Sequence, residues 1–225
     1  MFGHNYPNSM NRLLNSSWSP GFRLAIKGFS LIELLVTISI AAILLTLAIP
    51  NMRDFMLNNR LVTQNNELAL ALAYAKSEAV KRGARVTVCS RQTDTTCSGT
   101  TTWDSGWLVY VDGNANGSLD DFVDANGNGV QDPGETPPET ILKVQGPLQG
   151  GNTLRAGRNR VHFQSTGFSA GSNTTFTLCD SRGTGSAKAL ILSGVGRTRT
   201  ATDSAADGDS IVDDGETPPV NVACP

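Results

Sequence analysis

The chain has 225 residues, of which 39% are hydrophobic and 17% are charged, and its formal net charge is −2. This composition fits one domain of ordinary size and excludes both a highly charged disordered protein and a generally basic nucleic-acid-binding protein. The average hides an asymmetry. Residues 112–140 hold seven acidic side chains and residues 201–225 hold six, whereas the rest of residues 29–200 carries 15 basic and seven acidic side chains.

An apolar run covers residues 29–49 and contains a single charged side chain, Glu33. At about 1.5 Å per residue, a helix of this length just crosses a ~30 Å hydrocarbon core. A buried core helix is the alternative. Because basic residues precede the run, we predict a membrane helix whose N-terminal flank stays in the cytoplasm and whose C-terminal bulk crosses the membrane.

The junction Lys27-Gly28-Phe29-Ser30-Leu31-Ile32-Glu33 resembles the type IV prepilin processing motif. The resemblance implies cleavage after Gly28 by a prepilin peptidase, N-methylation of Phe29 and assembly of the apolar helix into a filament core. Glu33 lies one helical turn from the new amine of Phe29, and we predict that the two charges offset each other within or between subunits. A carboxylate that only reaches the membrane interface is the alternative for Glu33.

Processing gives the first testable prediction. We expect the filament-associated protein to begin at Phe29, because a Gly-Phe junction separates a basic leader from the apolar helix. N-terminal mass spectrometry checks this, and an intact leader would contradict it. Glu33→Ala should still be processed but should assemble poorly.

Residues 51–82 continue as a helix, because their apolar side chains recur at helical spacing. The stripe consists of Leu57, Leu61, Leu68, Leu72, Ala75 and Ala79, and Gly83 is the predicted stop. Short β-rich runs follow at 85–89, 107–111, 140–144, 161–163, 175–179 and 189–193. A long helix followed by strands predicts the α+β class, with an antiparallel sheet packed on the helix.

The segments 63–83, 86–89, 161–168 and 189–199 resemble FimT/GspH-type minor pilins. The resemblance implies a type IV pilin-like fold with four parts, which are a leader at 1–28, a membrane-spanning and filament-core helix at 29–50, a periplasmic domain at 51–200 and an acidic tail at 201–225. The acidic insert 112–140 belongs to the domain. The resemblance also implies a single-pass inner-membrane protein that is incorporated into the pilus.

Four cysteines, Cys89, Cys97, Cys179 and Cys224, make an even number in a chain that we expect to be exported into an oxidising compartment. Four cysteines allow three pairings. A short step that contains one Ser and three Thr separates Cys89 from Cys97, so we predict that bridge and, with it, Cys179–Cys224. A zinc site is the alternative, but no CxxC pair and no nearby histidine supports it.

The segment 124–135 has the spacing of a calcium-binding loop. Oxygen ligands at alternate positions can surround one Ca²⁺, a glycine stands at the sixth position and a closing glutamate can bind through both oxygens. The segments 112–120 and 205–216 carry incomplete versions of the same pattern. A solvated, turn-rich loop is the alternative for all three. The predicted ligands are Asp124, Asn126, Asn128, Asp132 and Glu135.

The segment Gly196-Arg197-Thr198-Arg199 follows the last predicted strand. Arginines two residues apart in an extended segment point to the same side, where two guanidinium groups can grip neighbouring phosphates. The segment resembles the GRxR motif of FimT-type pilins, which implies non-specific binding of double-stranded DNA in natural transformation through Gly196, Arg197 and Arg199. Acidic residues at 203–216 could instead pair with these arginines. Five other basic residues could widen the basic face: Arg155, Arg158, Arg160, Arg182 and Lys188.

The sequence therefore predicts a minor pilin of the type IV pilus that binds DNA for uptake. Its expected partners are DNA, other pilins, prepilin peptidase and the inner membrane, and no cofactor other than Ca²⁺ is indicated. Two alternatives remain, a structural minor pilin and a GspH-like minor pseudopilin of a type II secretion system. An enzyme is not expected, because His162 is the only histidine after the leader and no catalytic motif stands out.

Overall fold

A computed structural model of the chain describes residues 28–120, 139–203, 211–214 and 220–225. The chain divides into two compact units, Met1–Leu47 and Ala48–Pro225. The described residues of the first unit are all exposed and contain the start of helix α1, Leu31–Arg82. Ser30 caps this helix, because its Oγ accepts a hydrogen bond from the Glu33 N–H at 3.2 Å. Helix α1 is long and apolar enough to cross a membrane: an 18-residue window of it has a mean hydropathy of 2.5, and none of that window is buried.

In the second unit, α1 buries the predicted apolar stripe. Leu61, Leu68, Leu72, Ala75 and Ala79 are at most 1% exposed, and Leu57 is half-buried. The helix ends before Gly83, whose φ of +63° suits the left-handed position that follows many helices. The helical periodicity and the stop signal of the sequence are therefore both confirmed.

Eight strands form two antiparallel sheets of four strands each. The strand order is β3–β2–β1–β5 in sheet 1 and β4–β6–β7–β8 in sheet 2. The strands are β1 (Val86–Ser90), β2 (Trp107–Val111), β3 (Ile141–Gln145), β4 (Thr153–Ala156), β5 (Arg160–Phe163), β6 (Thr174–Cys179), β7 (Lys188–Leu192) and β8 (Thr198–Thr200).

The six predicted strands all occur, with bounds within one residue of the prediction. The predicted α+β class, with antiparallel strands packed on the helix, is confirmed. The strands divide into two sheets rather than one, and β4 and β8 are additional. Both additional strands are too short to give a clear signal: β4 alternates polar and apolar residues over only four positions, and β8 has three residues and none that is apolar. They are strands because β4 pairs with β6 and β8 pairs with β7.

One hydrophobic core joins α1 to the inner faces of both sheets. Sheet 1 contributes Val88, Val109 and Phe163, and sheet 2 contributes Phe176 and Leu190, all buried. Trp103 closes the core with its ring edge-on to Phe176, at a centroid distance of 5.1 Å. Every buried residue in the described ranges lies between 61 and 222, so the second unit contains its own core.

The outer face of sheet 2 is covered by the end of the chain. Val222 packs with Ile191 and Ala201 in a second buried cluster, and Ile211, Val212 and Cys224 pack against it. The Cys179–Cys224 disulfide ties this segment to β6, and the Cys89–Cys97 disulfide closes the loop after β1. Both predicted bridges are therefore confirmed, and the structure contains no free cysteine. The described residues 211–214 and 220–225, which belong to the predicted acidic tail, pack on the domain.

Candidate nucleic-acid interface

The predicted DNA motif lies on the hairpin between β7 and β8. We call residues 193–199 the arginine turn. Its loop is closed because the Ser193 N–H donates to the Arg197 carbonyl at 3.0 Å and the Gly196 N–H donates to the Ser193 carbonyl at 2.8 Å. The Ser193 hydroxyl also donates to the Arg197 carbonyl at 3.0 Å. These bonds fix the backbone from which Arg197 and Arg199 project.

Gly196 docks the arginine turn on the rest of the domain. Its φ is +72°, and a Cβ at this position would lie 2.2 Å from the carbonyl oxygen of Gly167. The Gly196 carbonyl accepts a hydrogen bond from Lys76 Nζ at 3.0 Å, and the Ser169 N–H donates to the Gly194 carbonyl at 2.9 Å. Glycine is thus required at position 196 both by conformation and by close approach.

Arg197 and Arg199 are exposed, whereas Thr198 between them is half-buried. Arg199 stands opposite Ile191 in the register of β7 and β8, so its side chain shares the outer face of sheet 2. Among the described residues, no carboxylate lies within ion-pair distance of either arginine. The two positive charges are therefore presented to solvent.

Part of the acidic tail covers the same face. Thr175, Ile191 and Arg199 are successive neighbours across β6, β7 and β8, and the Thr175 hydroxyl donates to the carbonyl of Asp214. Two strand spacings separate Thr175 from Arg199, which is about 10 Å. The acidic segment is close enough to lower the positive potential around Arg199 without forming an ion pair with it among the described residues.

The other candidate basic residues fall into two groups. Arg155 forms an ion pair with Asp104, and Arg182 forms one with Asp180 at 2.7 Å. Burial by itself raises the pKa of the Asp180 carboxyl, but hydrogen bonds from Arg182 outweigh it and hold the pKa below its usual range. Lys188 begins β7 and is half-buried. The charges of Arg155 and Arg182 are therefore balanced by neighbouring carboxylates.

Arg158 precedes β5, and Arg160 is its first residue. These two arginines form the second group, because neither has a carboxylate partner among the described residues. Both line a surface groove with Arg85, His162 and Ser172. We call it the β5 groove. Burial, together with the nearby Arg85 cation, lowers the pKa of His162 below its ordinary value.

The predicted calcium ligands at 124–135 lie outside the described residues, as does most of the segment 205–216. In the segment 112–120, Asp112 is buried and forms an ion pair with Arg85 at 3.0 Å, and Asn114 donates to Asp120 at 2.9 Å. Glu139 accepts the N–H of Gly113 at 3.0 Å. No group of three or more His, Cys, Asp or Glu side chains suited to a metal occurs in the part of the chain that the structure describes.

The predicted processing residues lie at the start of the described part of the first unit. Gly28 and Phe29 precede α1, and both are exposed, as is Glu33 in the first turn of the helix. Cleavage after Gly28 stays a prediction.

Sequence reasoning missed the residues that support the arginine turn, which are Lys76, Gly167 and Ser169. Gly167 has a φ of +80°, and a Cβ there would lie 3.2 Å from carbon atoms of Lys76 and Val80 on α1. The available signal in the sequence was the two glycines Gly167 and Gly196, but only the fold brings them together.

Comparisons with known proteins agree with this architecture. A family model described as type II transport protein GspH matches residues 64–196, and a prokaryotic N-terminal methylation motif matches residues 23–49. A crystal structure of the type IV minor pilin FimU from Pseudomonas aeruginosa is 19% identical and covers 65% of this chain and 91% of its own, with a TM-score of 0.46. A second crystal form of Pseudomonas aeruginosa FimU is 18% identical and covers 62% of this chain and 91% of its own, with a TM-score of 0.43. No curated protein matches the chain.

A long apolar N-terminal helix whose first part lies within a methylation motif, followed along the chain by antiparallel sheets, defines a type IV pilin-like protein. Because the GspH model covers more than half of the sequence, the chain belongs to the GspH/FimT family. It is a minor pilin of a type IV pilus or type II system, anchored in the inner membrane by a single helix. Prepilin peptidase and other pilins are its partners.

Proposed function

We propose that this minor pilin binds double-stranded DNA non-specifically through Gly196, Arg197 and Arg199, and that the binding serves DNA uptake in natural transformation. The observation that carries the proposal is the exposure of Arg197 and Arg199 on a backbone held by hydrogen bonds. A guanidinium group without a carboxylate partner has an unbalanced positive charge, and its N–H donors are available to a phosphate.

The expected affinity follows from the small number of charges. Phosphate contacts carry no sequence information, so binding should show little sequence preference. Non-specific complexes have dissociation constants of roughly 10⁻⁴–10⁻⁶ M at physiological salt. Two arginines belong at the weak end of this range. Several copies in one filament would raise the effective affinity without any new contact.

We expect the Arg197→Gln/Arg199→Gln variant of residues 51–225 to lose most of its DNA binding, because it removes two charges and leaves the core intact. The slope of log affinity against log salt should fall by up to about 1.8, at ~0.9 for each phosphate contact. Fluorescence anisotropy with a labelled duplex of random sequence measures both quantities. The Arg91→Gln/Arg155→Gln variant removes the same charge from two arginines paired with Asp94 and Asp104 and should behave like the wild type.

The cellular readout separates the proposal from its alternatives. If DNA uptake is the function, Arg197→Gln/Arg199→Gln should reduce transformation while pili still assemble. A purely structural minor pilin predicts that pili are lost as well. A pseudopilin, which the match to the GspH family model favours, predicts no effect on transformation. Unchanged DNA affinity and salt slope in the purified variant would contradict the proposed site.

A further inference from the structure

The β5 groove is a basic concavity in the described part of the second unit. Its volume is about 570 Å³. Three arginines and one histidine line it, and the remaining described lining residues are Gly, Ser, Thr and Asn, with no carboxylate among them. A polar concavity that contains several cations and no acid attracts an anion.

Two of the arginines are held in place by carbonyl groups, which leave their positive charges unbalanced. Arg160 Nη1 donates to the carbonyl of Gly117, and Arg158 Nε donates to the carbonyl of Asn173 at 3.2 Å. A carbonyl fixes a guanidinium group but does not neutralise it, whereas the carboxylate of Asp104 balances Arg155. Each of these two arginines has five N–H donors, so most of its donors remain for a ligand.

The remaining polar groups complete the surroundings of an anion. Arg85 is balanced by Asp112 at 3.0 Å, and its Nη1 donates to the Ala115 carbonyl at 2.7 Å. The His162 Nδ1 lies 2.8 Å from the Ser172 hydroxyl, which orients the imidazole. Gly117 has a φ of +79°, and a Cβ there would lie 3.1 Å from Arg160 Nη1, so the absence of a side chain gives Arg160 its place.

The groove is connected to the arginine turn through one residue. The Ser169 N–H donates to the Gly194 carbonyl of the turn at 2.9 Å, and its hydroxyl donates to the His162 carbonyl at 2.7 Å. Each DNA strand offers a phosphate about every 3.4 Å along the helix axis. Ser169 bonds to both sites, so the groove and the turn are neighbours on the domain, and a duplex with closely spaced phosphates can be tested for contact with both.

We propose that the β5 groove, through Arg158 and Arg160, binds a phosphate of the same DNA that contacts the arginine turn. The proposal rests on the proposed function, since it adds a second contact to that DNA. Guanidinium forks and hydroxyl donors suit the oxygens of a phosphodiester. The second contact fixes how the duplex lies on the domain and doubles the number of arginines that meet phosphates.

The test compares four forms of the processed chain, residues 29–225, in detergent micelles. They are the wild type, Arg158→Gln/Arg160→Gln, Arg197→Gln/Arg199→Gln and the control Arg91→Gln/Arg155→Gln. We expect the groove variant to lower the salt slope of DNA binding by up to about 1.8, as the turn variant does. The control should bind like the wild type. A thermal melt of each variant verifies that the domain remains folded.

His162 provides a second readout, because it is the only histidine in residues 29–225. Its imidazole NMR signals should shift when the DNA duplex is added to the wild type, and should stay unchanged in the groove variant. If the groove variant binds like the wild type and the His162 signals do not move, the groove proposal is overturned. The turn variant then still tests the proposed function by itself. Conversely, an effect confined to the groove variant would overturn the arginine turn as a DNA site and, with it, the proposal that one duplex contacts both sites.

Discussion

Replacing Cys179 and Cys224 by serine is expected to be the most destabilising change that leaves the hydrophobic core intact. The bridge closes a loop with a sequence separation of 45 residues. In the chain-entropy model, releasing such a loop in the unfolded state costs the native domain about 4 kcal/mol. The bridge also holds Cys224 beside Val222 and Ile191 on the outer face of sheet 2, so its loss should loosen that cluster.

Urea unfolding of residues 51–225 measures this effect. The matched control is Cys89→Ser/Cys97→Ser, whose bridge spans only eight residues. The same model gives about 2.5 kcal/mol for the shorter loop. The larger loss should therefore belong to the C-terminal bridge. An equal or smaller loss for that variant would show that residues 211–225 add little to the stability of the domain.

The second large effect is expected at Gly196. Replacement by alanine places a Cβ 2.2 Å from the Gly167 carbonyl oxygen and forces a φ of +72° on a residue with a side chain. Backbone strain of this kind costs about 1–3 kcal/mol, and the contact requires the turn to move away from Gly167. Because Arg197 and Arg199 remain, a fall in DNA affinity would show that their placement matters as well as their charge.

Gly194 is the matched control for this substitution. It lies two residues away in the same turn, and a Cβ there would meet nothing within 4 Å. We expect Gly194→Ala to melt and to bind DNA like the wild type, whereas Gly196→Ala should lower both the melting temperature and the DNA affinity. A Gly196→Ala domain with wild-type melting and binding would refute the requirement for glycine in the GRxR motif.

Much of the fold could be predicted because the signals are local. The apolar spacing of α1 identifies its buried stripe, since residues three and four apart share a helix face. Proximity along the chain identified the Cys89–Cys97 bridge, and the second bridge followed from it. The hairpin strand β8 could not be found in this way, because Thr198–Thr200 has no apolar residue and is a strand only through its pairing with β7.

By itself, the sequence determined the apolar helix with its processing junction and marked Arg155, Arg158, Arg160, Arg182, Arg197 and Arg199 as candidates for phosphate contacts. Only the tertiary structure decided which of those arginines keep an unbalanced charge. Arg155 and Arg158 look alike in sequence, yet β4 brings Arg155 against Asp104 while Arg158 meets the carbonyl of Asn173. The reason is physical: whether a guanidinium charge is balanced depends on the carboxylates within a few ångströms, and the Asp104 carboxylate that balances Arg155 comes from a residue far away along the chain.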